Sequence, residues 1–424
     1  MKVVVINSGS SSVKYEVFEA SDFSVLSSGL LERIGESESR HTHRAYGSSG
    51  TVKETVRRGR VGNHEEAFRF ILSLPAESAV IKSSAELLGI GHRVVHGGEA
   101  FREPVLINEE VLETIRDLIP LAPLHNPANL QGIEAARQVF PGVPQVAVFD
   151  TAFHQSIPRH AFIYALPYSF YALHRVRRYG FHGTSHLWVA KKAAAHLEKP
   201  LASLNFITLH LGNGASAAAI REGLSVDTSM GMTPLEGLVM GTRCGDLDPA
   251  VSFYLRRETG MPEKDLEGLL NKGSGLKGIC GANDMREILQ MANHGEPQAQ
   301  LALELYCYRI KKYIGAYFAA LGRVDAVVFT GGIGENAAPI RRQCCEGLEG
   351  LGITVDDRKN EKGYAEVMEI QRDSAPVKVL AVRTKEEREI AEQTVATLLR
   401  SREGNGKTPM NRGPAGSEEK EEQE

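Results

Sequence analysis

Two segments about 200 residues apart follow one plan, and that repeat limits the fold more than any other feature of the chain. "VVVINSGSSSVKYEVF" (Val3 to Phe18) and "FITLHLGNGASAAAI" (Phe206 to Ile220) each pass from an apolar strand through a tight turn of Asn, Gly and Ser into a second strand. Such a turn exposes backbone N–H groups and small hydroxyls in a concave nest that suits phosphate oxygens. A single turn of this kind is also an ordinary hairpin. The pair, with Lys14 just past the first turn, reads as two related domains facing one polyphosphate. Asn7 and Ser10 or Ser12 are placed to meet Mg2+, which takes oxygen ligands and keeps much of its water.

The chain has 424 residues, beyond the size of one ordinary core, which agrees with two domains. Hydrophobic residues at 42% and charged residues at 24% are the balance of a globular protein. With 49 basic against 53 acidic residues, no overall field marks a nucleic-acid or membrane partner, so any anion site must be local. Five cysteines without CxxC spacing argue against a disulfide framework or a zinc site. No apolar run approaches the ~18 residues of a membrane span, and no signal-peptide block follows Lys2. The chain reads as cytoplasmic.

Strand-like and helical runs alternate, the pattern of an α/β protein with parallel or mixed sheets. Asn126-Pro127 and Asp248-Pro249 each place a capping side chain before a proline, and Ser185 is positioned to cap "HLWVAKKAAAHLEK". The run Ala299 to Leu321 keeps helical spacing up to Gly322. From Ser401 onward there is no Leu, Ile, Val or aromatic residue, and the end is acidic, so this stretch reads as a disordered tail. Its "GNGKT" lacks the first P-loop glycine and a preceding strand.

Several stretches carry chemistry. "GHRVVHGG" sets Arg93 among glycines, where its planar fork can pair a carboxylate or a phosphate. Asp150 ends the apolar strand of "PQVAVFDTAFH", where ligand crevices of open α/β sheets lie, and fits a phosphoryl acceptor, a base or a positioning group. In "RRYGFHGTSH" the helix start separates His182 from His186, which argues against a metal pair. The long loop "DTSMGMTPLEGLVMGTRCGDLDP" delivers Arg243 just before a capped helix. "VVFTGGIGENA" matches G-x-G-x-x-A after a strand, with Asp356 and Asp357 about 20 residues on, and so keeps a dinucleotide oxidoreductase open as an alternative.

Taken together, "NSGSSSVKY", "HRVVHGG", "PLHNPAN", "FDTAFH", "RRYGFHGTSH", "HLGNGAS", "DTSMGMTPLEG", "MGTRCGDLDP" and "FTGGIGENA", in that order, resemble the acetate kinase (acetokinase) family from Met1 to about Arg400. The resemblance implies an α/β fold of two duplicated actin-like ATPase domains, with mixed sheets flanked by helices and a nucleotide cleft between them. It places residues 1–150 plus about 385–400 in the first domain, 151–384 in the second, and 401–424 in the acidic tail. It implies a homodimer that binds neither nucleic acid nor membrane. The activity implied is reversible, Mg2+-dependent transfer of the ATP γ-phosphoryl to acetate, giving acetyl phosphate and ADP, with Mn2+ as a substitute metal.

By the same resemblance Asn7 and Glu386 are the metal residues, and Lys14 contacts ATP. Arg93 binds the carboxylate, and Val95, Leu124, Phe181 and Pro234 form the methyl pocket. Asp150, His182 and Arg243 are catalytic. The nucleotide is expected on His210, Leu211, Gly212, Asn213, Gly214, Asp284, Met285, Arg286, Gly332, Ile333, Gly334, Glu335 and Asn336. Propionate kinase is the alternative within this chemistry, since one methylene changes little in an apolar pocket. A chaperone-like ATPase is the alternative outside it, but only the tail follows the nucleotide motifs.

Overall fold

The computed structural model describes residues 1–9, 11–47, 51–67, 70–71, 80–123, 125–363 and 365–403. Ser10, Leu124 and the acidic stretch 404–424 fall outside these. The chain divides into two compact units, Met1–Ala152 with Glu386 onward, and Phe153–Lys385.

The first unit is built on an eight-stranded sheet. Its strands are β1 (Lys2–Ser8), β2 (Ser12–Glu19), β3 (Val25–Glu32), β4 (Ser39–Tyr46), β5 (Val52–Gly59), β6 (Leu87–Val94), β7 (Val105–Leu106) and β8 (Gln145–Phe149), in the order β5-β4-β3-β2-β1-β6-β8-β7. β1 pairs antiparallel with β2 and parallel with β6. It is therefore central, and Val3 to Ile6 are all buried, as a continuous apolar run requires.

The second unit carries β9 (Asn205–Leu211), β10 (Ala215–Arg221), β11 (Leu224–Thr228), β12 (Ala326–Thr330), β13 (Val367–Glu369) and β14 (Lys378–Val382), in the order β11-β10-β9-β12-β14-β13. The hairpin β9–β10 is antiparallel, and β9–β12 and β12–β14 are parallel. This repeats β3-β2-β1-β6-β8-β7 strand for strand, down to the short antiparallel edge strand. The duplication expected from the two glycine turns is thus a duplication of the whole sheet, to which β4 and β5 are an addition.

Helices cover the sheets. Helix Glu386–Glu403 follows β14 in the chain but belongs to the first unit, where Ile390, Ala391 and Leu398 pack with Val3, Val5, Val146 and Val148. Two glycines of β6 let it close in. A Cβ at Gly91 would fall 2.3 Å from Thr394 Oγ1, and one at Gly89 2.4 Å from Leu398 Cδ1. In the second unit Trp188, Ala190, Ala193 and Ala194 of helix Gly183–His196 pack with Phe206, Ala218, Val328 and Leu380. Each such fully buried large side chain contributes about 1.5–3 kcal/mol.

Three local expectations change. Asn126 does not cap its helix: it is the first helical residue, and its amide bonds both backbone groups of His96 at 3.2 and 3.1 Å. Ser185 does not cap either, because helix Gly183–His196 begins two residues earlier and the Ser185 hydroxyl is bonded to His210 and Thr384. The last helix continues through Ser401 to Glu403, with Ser401 Oγ donating to Leu398 O at 2.8 Å, so the acidic stretch begins later than Ser401. Asp248 does cap, accepting from Ala250 N at 2.9 Å. The long helix spans Pro297–Leu321 and stops at Gly322 with φ 73°.

Candidate active site

In the first unit the ends of β1, β6 and β8 bring Asn7, Arg93 and Asp150 together, with Asn7 opposite both Lys14 and Arg93 in register. Arg93 Nε donates to both oxygens of Asp150 at 3.0 and 3.1 Å, its Nη2 adds a third bond, and its Nη1 donates to Asn7 Oδ1 at 2.9 Å. One N–H on each terminal nitrogen remains for a ligand, since the guanidinium carries five. Asp150 is buried with both oxygens on Arg93, which makes it an orienting group. Burial works against the Arg93 charge, and Asp150, with Glu386 and Glu387, more than reverses this, so the guanidinium stays charged.

The start of the last helix adds carboxylates. Glu387 Oε2 lies 2.8 Å from Lys14 Nζ, and its Oε1 accepts from Asn7 Nδ2 at 3.4 Å. Glu386 is pushed up to about 7, first by burial, with Arg93 opposing and Glu387 and Asp150 adding to the rise. Glu386 and Glu387 thus add negative charge beside Asp150, Arg93 and Lys14, although no three or more His, Cys, Asp or Glu among the described residues are arranged to hold a metal ion by themselves. Asn7 Oδ1 keeps a second lone pair beside its bond to Arg93, so Asn7 and Glu386 fit a Mg2+ site. Glu387 escaped the sequence reading; the doubled Glu of "RTKEE" was the available signal. Val95 is buried, with its N–H held by Asn129 Oδ1 at 3.0 Å, while Asn129 Nδ2 reaches Ser8 O at 3.2 Å. Asn126 and Asn129 therefore fix the strand ends that carry Arg93 and Asn7. Leu124 lies outside the described residues.

In the second unit the turn between β9 and β10 is closed by Gly212 N donating to Gly214 O at 3.0 Å. His182 precedes its helix in the left-handed region, φ 58°, which costs a non-glycine residue on the order of 1 kcal/mol. Its ring stacks on His210 at 4.3 Å, and Nδ1 lies 2.9 Å from Ser216 Oγ. A Cβ placed on Gly214 would be 3.6 Å from both His182 Nε2 and Arg243 Nη1, so the two side chains converge on the glycine turn.

Arg243 is the unusual cation of this unit. Its Nη1 donates to Pro234 O at 3.2 Å and touches Met240 Sδ at 3.7 Å, with no carboxylate in ion-pair range among the described residues. Burial alone pulls its pKa down. The loop carrying it is clamped twice. Arg178 donates to the carbonyls of Thr228, Ser229 and Met230 and pairs with Glu236 at 2.6 Å. Asp246 accepts from Gly237 N at 2.8 Å and Tyr313 OH at 2.9 Å. Arg178 and Asp246 stood in quoted motifs without a role, and Tyr313 carried no signal. Phe181 is buried here, and Pro234 is half-buried in the same loop.

A cavity of about 580 Å³, the size of a nucleotide or cofactor pocket, opens beside this turn. Of the residues expected on the nucleotide, Gly212, Asn213, Asp284, Met285, Arg286, Gly332, Ile333 and Asn336 line it. Asp284 caps helix Met285–Asn293, and Arg286 holds its carboxyl down at about 2. A Cβ on Gly332 would meet nothing within 4 Å, so the protein itself does not need that glycine; the neighbouring Gly331, at φ 76°, would strike Leu211 O at 2.7 Å. Leu211 and Gly334 are buried, and His210 stacks on His182 instead of lining the cavity. Glu335 turns inward, accepting from Gly331 N and Thr384 N at 3.1 and 2.9 Å. Asp356 caps a short helix, accepting from Lys359 N at 3.1 Å, and Asp357 pairs with Arg342 at 3.4 Å.

Two sheets of one strand order, each led by a glycine hairpin, define a protein of the actin-like ATPase fold. Residues 2–392 match the Acetokinase family. An acetate kinase of Syntrophobacter fumaroxidans is 59% identical over 95% of this chain and 98% of its own length. The crystal structure of Porphyromonas gingivalis acetate kinase superposes with a TM-score of 0.88 at 45% identity, covering 94% of this chain and 99% of that one. A propionate kinase structure from Francisella tularensis gives 0.87 at 41%, covering 93% and 98%. The chain belongs to the acetokinase family.

Proposed function

We propose that the chain is an acetate kinase, a phosphotransferase with a carboxyl acceptor that moves the γ-phosphoryl of ATP reversibly to acetate. The observation that carries the mechanism is Arg243, a half-buried cation with no carboxylate in ion-pair range among the described residues, converging with His182 on the Gly214 turn. Phosphoryl transfer is mainly positioning and stabilisation of charge on oxygens, and such a pair supplies both. Arg93 uses its remaining N–H groups to hold the acetate carboxylate, and Asp150 and Asn7 keep its plane fixed. Val95, Phe181 and Pro234 supply the apolar surface for the methyl group. The cavity beside Gly332 takes the nucleotide, with Lys14 on its phosphates.

Asn7 and Glu386 would hold Mg2+, which when bound supplies charge neutralisation on the phosphates. Asp150 need not accept the phosphoryl, since direct transfer only asks it to orient Arg93. We also read the protein as a cytoplasmic homodimer. The second unit exposes Phe253, Tyr254, Leu301 and Tyr308, each more than half accessible, which is surface that a second copy could cover. No helix of the described residues is long and apolar enough to cross a membrane.

The test is trapping of acyl phosphate as hydroxamate with ATP and Mg2+, comparing acetate with propionate. A carboxylate-dependent product with higher kcat/KM for acetate is expected; absence of product removes the kinase reading, and a preference for propionate moves the substrate by one methylene, worth ~1–3 kcal/mol.

A further inference from the structure

His182 sits at one end of a buried row of hydrogen-bonding groups in the second unit. Thr208 Oγ1 lies 2.7 Å from His186 Nδ1, His186 Nε2 lies 2.8 Å from Ser216 Oγ, and Ser216 Oγ lies 2.9 Å from His182 Nδ1. Thr208, His186 and Ser216 are fully buried, on β9, helix Gly183–His196 and β10. The row leads toward the group assigned to the transferring phosphoryl and touches no expected ligand itself.

Counting hydrogens fixes its direction. The Thr208 hydroxyl makes one bond among the described residues, to His186 Nδ1. Were His186 Nδ1 protonated, the Thr208 hydrogen would be buried without an acceptor, so Thr208 donates and Nδ1 is bare. Burial, reinforced by His154 and His210, holds His186 well below the ordinary histidine pKa, so it is neutral and carries its hydrogen on Nε2. That hydrogen goes to Ser216 Oγ. Ser216 has a single hydrogen and gives it to His182 Nδ1. His182 Nδ1 is then an acceptor, and neutral His182 must be protonated at Nε2, the atom that faces the Gly214 turn beside Arg243.

We infer that Thr208, His186 and Ser216 form a tautomer lock that presents His182 Nε2–H as a donor to the transferring phosphoryl group. The inference rests on the phosphoryl-contact role given to His182 above, and it adds three positioning residues to that role. Without the lock, a neutral His182 could equally carry its hydrogen on Nδ1 and aim a lone pair at an anion. A charged group is not needed at this position, because Arg243 beside it supplies the charge.

The experiment is ring-nitrogen NMR of the ¹⁵N-histidine-labelled protein, with His182 assigned by the signals lost in His182→Gln. Wild type is expected to show a protonated Nε2 and a bare Nδ1; a protonated Nδ1 in neutral His182 overturns the inference. Ser216→Ala, which removes the hydroxyl that donates to His182 Nδ1, is expected to populate the Nδ1–H form of His182. It should lower kcat about tenfold or more with both KM values unchanged, as a wrong tautomer at a catalytic histidine does. Ser216→Thr, which keeps the hydroxyl, should restore both readouts. A Ser216→Ala protein with wild-type His182 signals overturns the lock even if its activity falls, because a purely structural defect leaves the tautomer alone. An unchanged kcat in His182→Gln would instead remove the phosphoryl role, a separate outcome that the ring-nitrogen signals do not depend on.

Discussion

Replacing Arg243 by alanine separates catalysis from stability in a way the geometry specifies. The guanidinium is half-buried and makes one bond to a carbonyl, at 3.2 Å, and one to a sulfur, at 3.7 Å. The folded state therefore gains little from it: about 1 kcal/mol from the hydrogen bond, offset by the cost of burying an unpaired charge. Arg243→Ala is expected to melt within a few degrees of wild type. In the transition state the same group meets negative charge spread over the phosphoryl oxygens. Losing one such preorganised donor costs about 10²–10³ in kcat, or roughly 2.7–4 kcal/mol. KM for ATP should hardly move, because the cavity lining of Gly212, Asn213 and Gly332 is untouched. The assays are hydroxamate-trapping kinetics and a thermal melt on one preparation. A kcat within threefold of wild type, or a melting point lowered by more than about ten degrees, would refute the reasoning.

Other perturbations test other parts. Asp150→Ala should fail in the opposite sense, leaving the partly buried Arg93 without its carboxylate and destabilising the first unit by about 3 kcal/mol in chemical denaturation; wild-type stability would contradict the orienting role. Gly332→Val puts its Cβ in open space and should fold normally while raising KM for ATP at least tenfold; an unchanged KM would place the nucleotide elsewhere. Gly91→Val should loosen helix Glu386–Glu403 from β6, seen as faster amide exchange in that helix, since its side chain has nowhere to go beside Thr394. His41 is buried among Tyr15, His43 and Phe70, and burial first, then His43 and Arg57, push its pKa down to about 4. The unfolded chain then takes up a proton that the fold refuses as pH falls from 6.5. His41 alone should account for about 2 kcal/mol of the stability lost between pH 7 and pH 5, and His41→Phe should make the slope shallower by that amount; equal slopes would contradict it.

Local chemistry made part of this legible. The glycine hairpins, the Asp248 cap and the Gly322 stop are read from neighbours along the chain, and all three are present. Asn126 and Ser185 satisfied the same local rule and were taken instead by tertiary partners, His96 in one case and His210 with Thr384 in the other. What sequence could not reach is contact over distance. Asn129 bonds Ser8 O from 121 residues away, and Lys14 meets Glu387 from the far end of the chain. The lock behind His182 is built from a Thr, a His and a Ser on three elements, types too common to stand out before β9 and β10 are paired. The strands β4 and β5 were hidden for another reason: β4 turns Ser39, His41 and His43 inward in place of apolar residues, and "VKETVRRG" of β5 is nearly all exposed, so neither has an apolar alternation to betray it.

The central claim is one direct transfer between ATP and acetate, with Arg243 and His182 meeting the phosphoryl and Asp150 holding Arg93. Its most direct test is the configuration at phosphorus after a single turnover of ATP made chiral in its γ-phosphoryl with oxygen isotopes. Direct in-line transfer predicts inversion, whereas net retention would mean two displacements through a phosphorylated enzyme group and would contradict the account.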